Sequence, residues 1–256
     1  MKRAIGTIRQ KGFTLIELLV ALGIFLVITG AAFTLLGTSQ QRYRTESQVL
    51  NSFQEARLGL DQIVRDVNDA GYPPPAFFQA AFPNLSASFP FAWSPNYPGN
   101  PCQLGTCATP RDFDLIIETN PNPQDTACAP NCVQWIRYVL QVPPLVPVPT
   151  LMRGVAPKVG GGADPAAAFV GQFAPVPFVQ NVVNSPAQPI FSYTCDSLTA
   201  PGTPPLPCPI AAAADKIPAN IRDVIITLIV AAPQADARSG QQRIVTLTGR
   251  GRRINP

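Results

Sequence analysis

Histidine is absent from this chain, and charged residues are scarce. Without imidazole, His-dependent catalytic triads, imidazole acid–base catalysis and His-ligated metal sites are excluded. Charged residues make up 13% of the 256 residues, about half the usual share. That low share argues against a charge-rich disordered chain and against coiled coils throughout, and the length suits one good-sized domain with an appendage or two small domains.

Proline is missing from the first 72 residues, although the chain contains 30 prolines. All of them lie between Pro73 and Pro256. Because nothing in the first segment removes a backbone donor or fixes φ against the helical ladder, that segment is predicted to be one continuous helix. The proline-rich remainder is predicted to consist of strands, turns and loops.

The N-terminal segment combines a basic flank with a long apolar run. Residues 1–12 contain no acidic residue and four basic ones: Lys2, Arg3, Arg9 and Lys11. Residues 13–36 contain a single charge, Glu17. A helix of that length measures roughly 36 Å, enough to cross a hydrocarbon core of about 30 Å. The positive-inside rule places the basic flank in the cytoplasm and everything after Leu36 outside it.

Two ordinary interpretations of this segment fit poorly. A secretory signal has an apolar region of about 7–15 residues followed by a small-residue cleavage site, and this run is longer. A simple anchor helix leaves Glu17 unexplained, because a lone carboxylate within an apolar span costs several kcal/mol unless it is paired.

The residues Lys11-Gly12-Phe13-Thr14-Leu15-Ile16-Glu17-Leu18 resemble the class III signal of type IV pilins and of the related pseudopilins of type II secretion. The resemblance implies that a prepilin peptidase cuts after Gly12 and methylates the new amine of Phe13. It also implies that Glu17 neutralises the N-terminal amine of a neighbouring subunit during assembly. The physics agrees, because two opposite charges in an apolar medium are tolerable only as a pair.

The helix is predicted to continue beyond the membrane as far as Gly71, where three prolines follow. One apolar stripe at 4-3-4-3-4 spacing marks the face that packs on a globular domain: Val49, Phe53, Ala56, Leu60, Ile63 and Val67. Gly23, Gly30 and Gly37 recur every seven residues, so they either allow close helix packing in a bundle or are unrelated glycines tolerated in a membrane helix.

Seven strands are predicted in the proline-rich part: Phe113–Glu118, Val133–Val142, Thr150–Arg153, Val176–Val183, Ile190–Tyr193, Val224–Val230 and Arg243–Thr248. Together they predict an antiparallel sheet against the helix, with the last two strands joined as a hairpin through Ala231–Gln242. The fold class is therefore α+β. The resemblance implies the pilin fold, a long N-terminal helix with a transmembrane first half packed on an antiparallel β-sheet domain with long Pro-rich loops.

These patterns and the resemblance to pilins together predict four regions. Residues 1–12 are the class III leader, and residues 13–36 are the transmembrane or filament-core helix. Residues 37–71 are the exported amphipathic half of the helix, and residues 72–256 are the β-rich globular domain.

All six cysteines lie in the part predicted to be outside the cytoplasm, which favours disulfides with 15 possible connectivities. Local pairing is the preferred hypothesis: Cys102–Cys107, Cys128–Cys132 and Cys195–Cys208. A metal site is the alternative, which the lack of histidine and the irregular spacing disfavour. No metal and no cofactor is predicted.

No catalytic constellation stands out. Asp112 and Asp114 lie on one face of a strand and could form a paired-carboxylate site, although a solvated strand edge is the preferred interpretation. The run of glycines at 160–162 lacks the Lys-Ser/Thr of a phosphate loop and is predicted to be a flexible turn. The C-terminal arginines, Arg250, Arg252 and Arg253, could touch nucleic acid or acidic lipid, and a solvated tail is the preferred interpretation.

Formal charge also bears on partners. The net charge is +4, but four of the 19 basic residues lie in the leader, so cleavage leaves 15 basic and 15 acidic side chains. The mature protein is formally neutral in its side chains, which makes nucleic acid an unlikely partner.

The sequence at the end of the helix resembles one particular group of pilins. Residues 57–66, followed by Ala70-Gly71-Tyr72, are similar to the helix end of PilW-type minor pilins, which are themselves similar to J-type pseudopilins. The resemblance implies a non-enzymatic minor subunit that initiates assembly or sits at the filament tip. Its implied partners are major and minor pilins, prepilin peptidase, an inner-membrane assembly platform and, before assembly, membrane lipid.

The implied location is the inner membrane, as a single-pass protein with a cytoplasmic N-terminus and a periplasmic C-terminal domain. From there it would enter an extracellular pilus or a periplasmic pseudopilus. A J-type pseudopilin and an adhesin or DNA-binding tip module remain alternatives.

Overall fold

The computed structural model describes residues 12–73, 89–93, 97–99, 102–121, 132–159, 164–197, 206–208, 217–235 and 240–254. One helix, α1, spans Leu15–Asn68. Within these described residues, eight strands follow it: β1 Asp114–Thr119, β2 Gln134–Gln141, β3 Thr150–Pro157, β4 Val176–Gln180, β5 Phe191–Cys195, β6 Leu206–Pro207, β7 Ile221–Ala235 and β8 Gln242–Arg252. The protein is thus α+β, as the sequence predicts.

The chain divides into two compact units, Met1–Ser47 and Gln48–Pro256. In the described part of the first unit, α1 carries apolar side chains that are exposed along its length. The second unit contains the rest of α1 and all eight strands. The boundary between the units therefore lies within one uninterrupted helix.

The strands form two antiparallel sheets where the sequence predicted one. The first sheet has the order β1-β2-β3-β4 and the second β6-β5-β7-β8. The chain passes from one to the other directly after β4, where Val182 bridges to Val230 and the Val183 N–H donates to the Ile229 carbonyl at 2.8 Å. Hydrophobic periodicity describes one strand at a time, so it does not reveal which strands belong to the same sheet.

The predicted hairpin between the last two strands is confirmed, and both strands are longer than predicted. β7 and β8 pair from Asp223↔Arg252 to Ala231↔Ile244. After a register shift, they pair again at Ala235↔Gln242. β7 lies between β5 and β8, the central place that its apolar sequence favours.

The second half of α1 is part of the core. Ala56, Leu60, Ile63 and Val67 are buried in one cluster with side chains from both sheets. Glycines let the backbones approach. A Cβ on Gly59 of α1 would lie 2.5 Å from Val179 Cγ2 of β4. The predicted stripe is buried, except for a half-buried Phe53.

A smaller aromatic cluster covers the other face of the first sheet. It contains Trp93, Tyr97 and Trp135, whose rings meet edge to face at centroid distances of 4.8 and 5.7 Å. Such geometry adds to the burial free energy of large rings. Both tryptophans of the chain therefore report on this sheet.

Candidate processing and assembly site

The predicted cleavage site lies immediately before α1. Gly12, Phe13 and Thr14 are outside the helix and exposed, with the Phe13 side chain 84% exposed. A Cβ placed on Gly12 would meet nothing within 4 Å. The Gly12–Phe13 bond is therefore on an open segment in the described part of the chain, as a protease needs.

Glu17 is bonded to Thr14 at the first turn of α1. The Thr14 N–H and the Thr14 hydroxyl each donate to Glu17 Oε2 at 3.0 Å, and the Glu17 N–H approaches Thr14 Oγ1 at 3.4 Å. This reciprocal arrangement is a capping box, which satisfies backbone donors that a helix start leaves unpaired. The sequence analysis did not single out Thr14, although the spacing Thr-x-x-Glu signals it.

Beyond Glu17, the helix presents only apolar and small polar side chains to its surroundings as far as Leu36. Its hydroxyls are bonded back to the helix, as Thr29 Oγ1 to the Phe25 carbonyl at 2.7 Å. By length and composition, α1 is the one helix among the described residues that could cross a membrane. The segment fits a single-pass membrane anchor near the N-terminus.

Gly23, Gly30 and Gly37 lie on α1 without interrupting it. A Cβ at any of the three would meet nothing within 4 Å. Their role in close helix packing therefore stays a prediction about an assembly of several chains, since nothing in the single chain approaches them.

The cysteine residues that the structure describes are all oxidised. Cys102 is bonded to Cys107, and Cys195 is bonded to Cys208. Cys132 is also in a disulfide, and Cys128, its predicted partner, lies outside the described residues. Among the described residues, no group of acidic, cysteine or histidine side chains could hold a metal ion.

The two aspartates considered as a carboxylate pair differ in their partners, although both line one cleft. Asp114 is bonded to Arg137 through two hydrogen bonds, at 2.6 and 3.0 Å, whereas Asp112 is exposed. Burial raises the pKa of Asp114, an effect that Arg137 partly offsets. Asp114 is thus part of a structural ion pair. The glycine run at 160–162 lies outside the described residues.

The side chains of Arg250 and Arg253 are bonded within the fold, which corrects the prediction of a solvated tail. Arg250 lies in β8 and donates to Asp223 Oδ2 at 2.6 Å, and Arg253 donates to the Ala219 carbonyl. The reason is that β8 continues four residues beyond its predicted end at Thr248. Arg252, in the same strand, is exposed.

Besides Asp223, two further buried carboxylates escaped the sequence analysis. Asp66 on α1 accepts hydrogen bonds from the Tyr138 hydroxyl at 2.5 Å and from Arg153 Nη2 at 3.0 Å. This joins the helix to β2 and β3. Burial raises the pKa of Tyr138, and the Asp66 carboxylate raises it further. These partners are 72 and 87 residues away in sequence, so local patterns do not reveal them.

The second buried carboxylate, Glu118, lies fully buried on β1. It accepts from Lys158 Nζ at 2.7 Å, from Trp135 Nε1 at 3.1 Å and from the Tyr97 hydroxyl. Because every partner is a donor, the carboxylate is compensated within an aromatic surrounding. Both clusters are structural and tie strands or helix together.

A cleft of about 620 Å³ opens beside two disulfides. It is lined by the half-buried Phe113, Leu140 and Tyr193 and by the exposed Arg111 and Asp112. Cys208 also lines it, and Leu104 comes from the loop closed by the other disulfide. The volume is in the usual range of ligand pockets.

Comparison with protein families adds a match at the N-terminus. Residues 8–33 match the model described as "Prokaryotic N-terminal methylation motif". No curated protein and no solved structure matches the chain. The matched stretch contains Gly12, Phe13, Thr14 and Glu17. It is the signal of type IV pilins and pseudopilins, so it implies processing by prepilin peptidase, assembly with other pilins and a structural, pilin-like protein.

Proposed function

We propose that this chain is a minor structural subunit of a type IV pilus or a related pilin-like filament, which initiates assembly or lies near the filament tip. The observation that carries the proposal is the position of Glu17, one turn into an exposed apolar helix and directly after an open Gly12–Phe13 bond.

Cleavage after Gly12 would create a second charge close to the first. The new amine of Phe13 is cationic, and the carboxylate of Glu17 is the only charged side chain among residues 13–36. Both charges are unfavourable in an apolar medium, and each is tolerated when it faces an opposite charge. A filament of stacked helices offers every Glu17 the amine of another chain.

Before that pairing, the capping box fixes the position of the Glu17 carboxylate. Thr14 is retained after cleavage, so its N–H and hydroxyl still hold the carboxylate in the single chain. Pairing with a neighbouring amine adds an ionic partner without removing the helix cap, because a carboxylate accepts several hydrogen bonds. Glu17 is therefore held in place before a neighbour arrives.

The minor-subunit part of the proposal comes from the similarity of residues 57–66 and 70–72 to PilW-type minor pilins. The globular unit supports it in one respect: it displays disulfide-closed loops around a cleft, features that suit a specialised subunit more than a repeated one. The proposed localisation is the inner membrane before assembly and the filament afterwards.

Mass spectrometry of the mature protein tests the processing step. The expected N-terminal residue is an N-methylated Phe13, with residues 1–12 missing. The same chain from cells without prepilin peptidase is the control and should keep its leader. Functional, filament-associated protein with an intact leader would contradict the proposal.

A substitution tests the assembly step. Glu17→Ala should leave cleavage and membrane insertion intact and reduce incorporation into filaments, because the neighbouring amine loses its partner. Glu46→Ala is the matched control, since Glu46 is an exposed glutamate on the same helix. Equal incorporation of both variants would remove the role assigned to Glu17.

Deletion of the accompanying machinery separates a pilus from a pseudopilus. If loss of type II secretion, and not of pilus assembly, removes the chain from filaments, the protein is a J-type pseudopilin. The cleft beside the disulfides is the surface for the adhesive alternative. Loss of adhesion with normal filament numbers after Leu140→Arg in its lining would favour that function.

A further inference from the structure

Strand β8 ends the second sheet and offers an open backbone edge. It spans Gln242–Arg252 and, among the described residues, pairs with β7 alone. Long unpaired strand edges are templates for pairing with another chain. The free edge of β1 differs, because it is covered by residues 90–92, where the Ala92 N–H donates to the Ile116 carbonyl at 3.0 Å.

The register shows which backbone groups of β8 point outward. Some β7 residues direct their backbone N–H and C=O groups away from β8. The Thr227 N–H, for example, donates to the Ile190 carbonyl at 2.8 Å, and Thr227 lies opposite Thr248. In an antiparallel pair, residues directly opposite each other both turn outward when one does. The outward N–H and C=O groups of β8 therefore belong to four alternate residues: Ile244, Thr246, Thr248 and Arg250.

At one end of this edge, the outward backbone N–H already has a hydrogen-bond partner. Arg252 N–H points away from β7 and donates to Asn68 Oδ1 at the end of α1, at 2.8 Å. Asn68 thus terminates the open edge, which leaves the four residues before it for a partner.

The side chains of the edge indicate what kind of strand would pair with it. Residues 242–252 contain no acidic residue and no proline, and the outward-facing side chains are β-branched or basic. Ile244 is 61% exposed, a large apolar exposure for a strand residue. Arg252 is exposed, and Arg250 is 57% exposed although it bonds to Asp223. Because Asp223 already compensates Arg250, an incoming strand would need a carboxylate near Arg252 and a β-branched residue beside Ile244.

We propose that β8 accepts an extended strand with acidic side chains from a neighbouring, non-identical filament subunit, which continues the second sheet across the subunit boundary. The proposal rests on the proposed function for the existence of the filament. A second copy of this chain fits less well, because residues 242–252 contain no carboxylate that could lie beside the exposed Arg252.

Hydrogen–deuterium exchange at single-residue resolution tests the pairing. The full chain in detergent micelles is compared with the same chain in assembled filaments. The amides of Thr246 and Thr248 should exchange rapidly in micelles and slow at least tenfold in filaments. Those of Val245 and Leu247, which face β7, should be slow in both. Rapid exchange of Thr246 and Thr248 in filaments would overturn the proposal.

A pair of substitutions at one position gives a second test. Thr246→Pro removes an outward N–H that the fold does not use, and proline is tolerated on such edges. It should lower filament incorporation at least fivefold, whereas Thr246→Ala should not. Equal incorporation of the two variants, both folded as judged by tryptophan fluorescence, would contradict strand pairing.

A further pair of substitutions tests whether the partner strand is selected by its charge. Arg252→Gln should weaken incorporation, while Arg57→Gln, at an exposed arginine on α1, should not. Equal effects would show that the partner is not selected by charge. Failure of the proposed function is distinguishable, because then the unaltered chain lacks methylated Phe13 and is absent from filaments before any β8 variant is compared.

Discussion

Gly59 allows the helix to lie against β4, and replacing it with alanine measures how close that contact is. A Cβ at this position would lie 2.5 Å from Val179 Cγ2 and 3.4 Å from Phe178 Cε1. Carbon atoms prefer a separation of about 3.5–4.0 Å, so the helix and strand would have to separate by roughly 1 Å. Overpacking of this kind costs about 1–3 kcal/mol.

Helix propensity acts in the opposite direction. Replacing a glycine in a helix interior by alanine contributes about 1 kcal/mol to stability. With an overpacking cost of about 2 kcal/mol, we expect Gly59→Ala to lower the free energy of unfolding by about 1 kcal/mol. For a unit of this size, that loss lowers Tm by about 2–4 °C.

A second substitution isolates the contact. Val179→Ala removes the methyl group that would clash, and by itself it should cost about 2 kcal/mol through lost burial and a cavity. In the double variant, the clash disappears and the gain in helix propensity remains, so the total cost should be about 1 kcal/mol rather than the additive 3. The expected coupling is therefore about 2 kcal/mol, in the stabilising direction.

Urea unfolding followed by tryptophan fluorescence is the assay, because both tryptophans are buried in the sheet-containing unit. All four proteins are compared as full chains in the same micelles. Free energies that add within about 0.5 kcal/mol would refute the reasoning. So would a Gly59→Ala variant more stable than the parent, since only helix propensity would then be acting.

Three further predictions concern the polar groups and a disulfide. Asp66→Ala should lower the free energy of unfolding by about 3–5 kcal/mol in the same assay, because it leaves Arg153 without its carboxylate against the helix; a loss below about 1 kcal/mol would mean that the contact is not formed. Burial alone would raise the pKa of Asp223, but the bonds from Arg250 and Thr194 outweigh it and hold that pKa below its ordinary value of 3.8. Its ionised form therefore stabilises the fold above about pH 4 and loses this effect as the pH falls through the lower, folded-state pKa. The stability difference between parent and Asp223→Asn should thus be constant at pH 6–8 and shrink by pH 3, and a difference independent of pH would contradict the assignment. Cys195→Ser combined with Cys208→Ser should cost about 3 kcal/mol, because this disulfide closes a loop with a sequence separation of 13, and unchanged thermal unfolding would count against that role.

Local sequence patterns predicted the elements of this fold better than their arrangement. Each of the seven predicted strands overlaps an observed strand, because alternation and proline punctuation act over a few residues. β6 was not predicted, since it has two residues, one of them Pro207, inside a proline-rich stretch. The division into two sheets depends on contacts such as Val182↔Val230, which join distant parts of the chain.

The same distinction applies to the candidate site. Gly12, Phe13 and Glu17 form a contiguous motif, so reading the sequence found them, and Thr14 could have been added from the spacing of a capping box. The buried ion pair of Glu118 with Lys158 could not be found in this way, because its partners are 40 residues apart and look like ordinary surface residues in sequence. The length of β8 was underestimated because Gly249 and Gly251 suggest a strand end, whereas here they let α1 approach.

That close approach has a consequence for how the protein is made. The α1 residues that pack on β8 leave the ribosome well before β8 does, since the bond from Arg252 to Asn68 spans 184 residues. Until β8 arrives, the helix face around Leu60 and Val64 has no strand to cover it. Complete folding of the second unit must therefore wait for β8. A chain that loses β8 would keep Gly12, Phe13 and Glu17 but expose an apolar helix face, and we expect proteases to degrade it faster than the full chain.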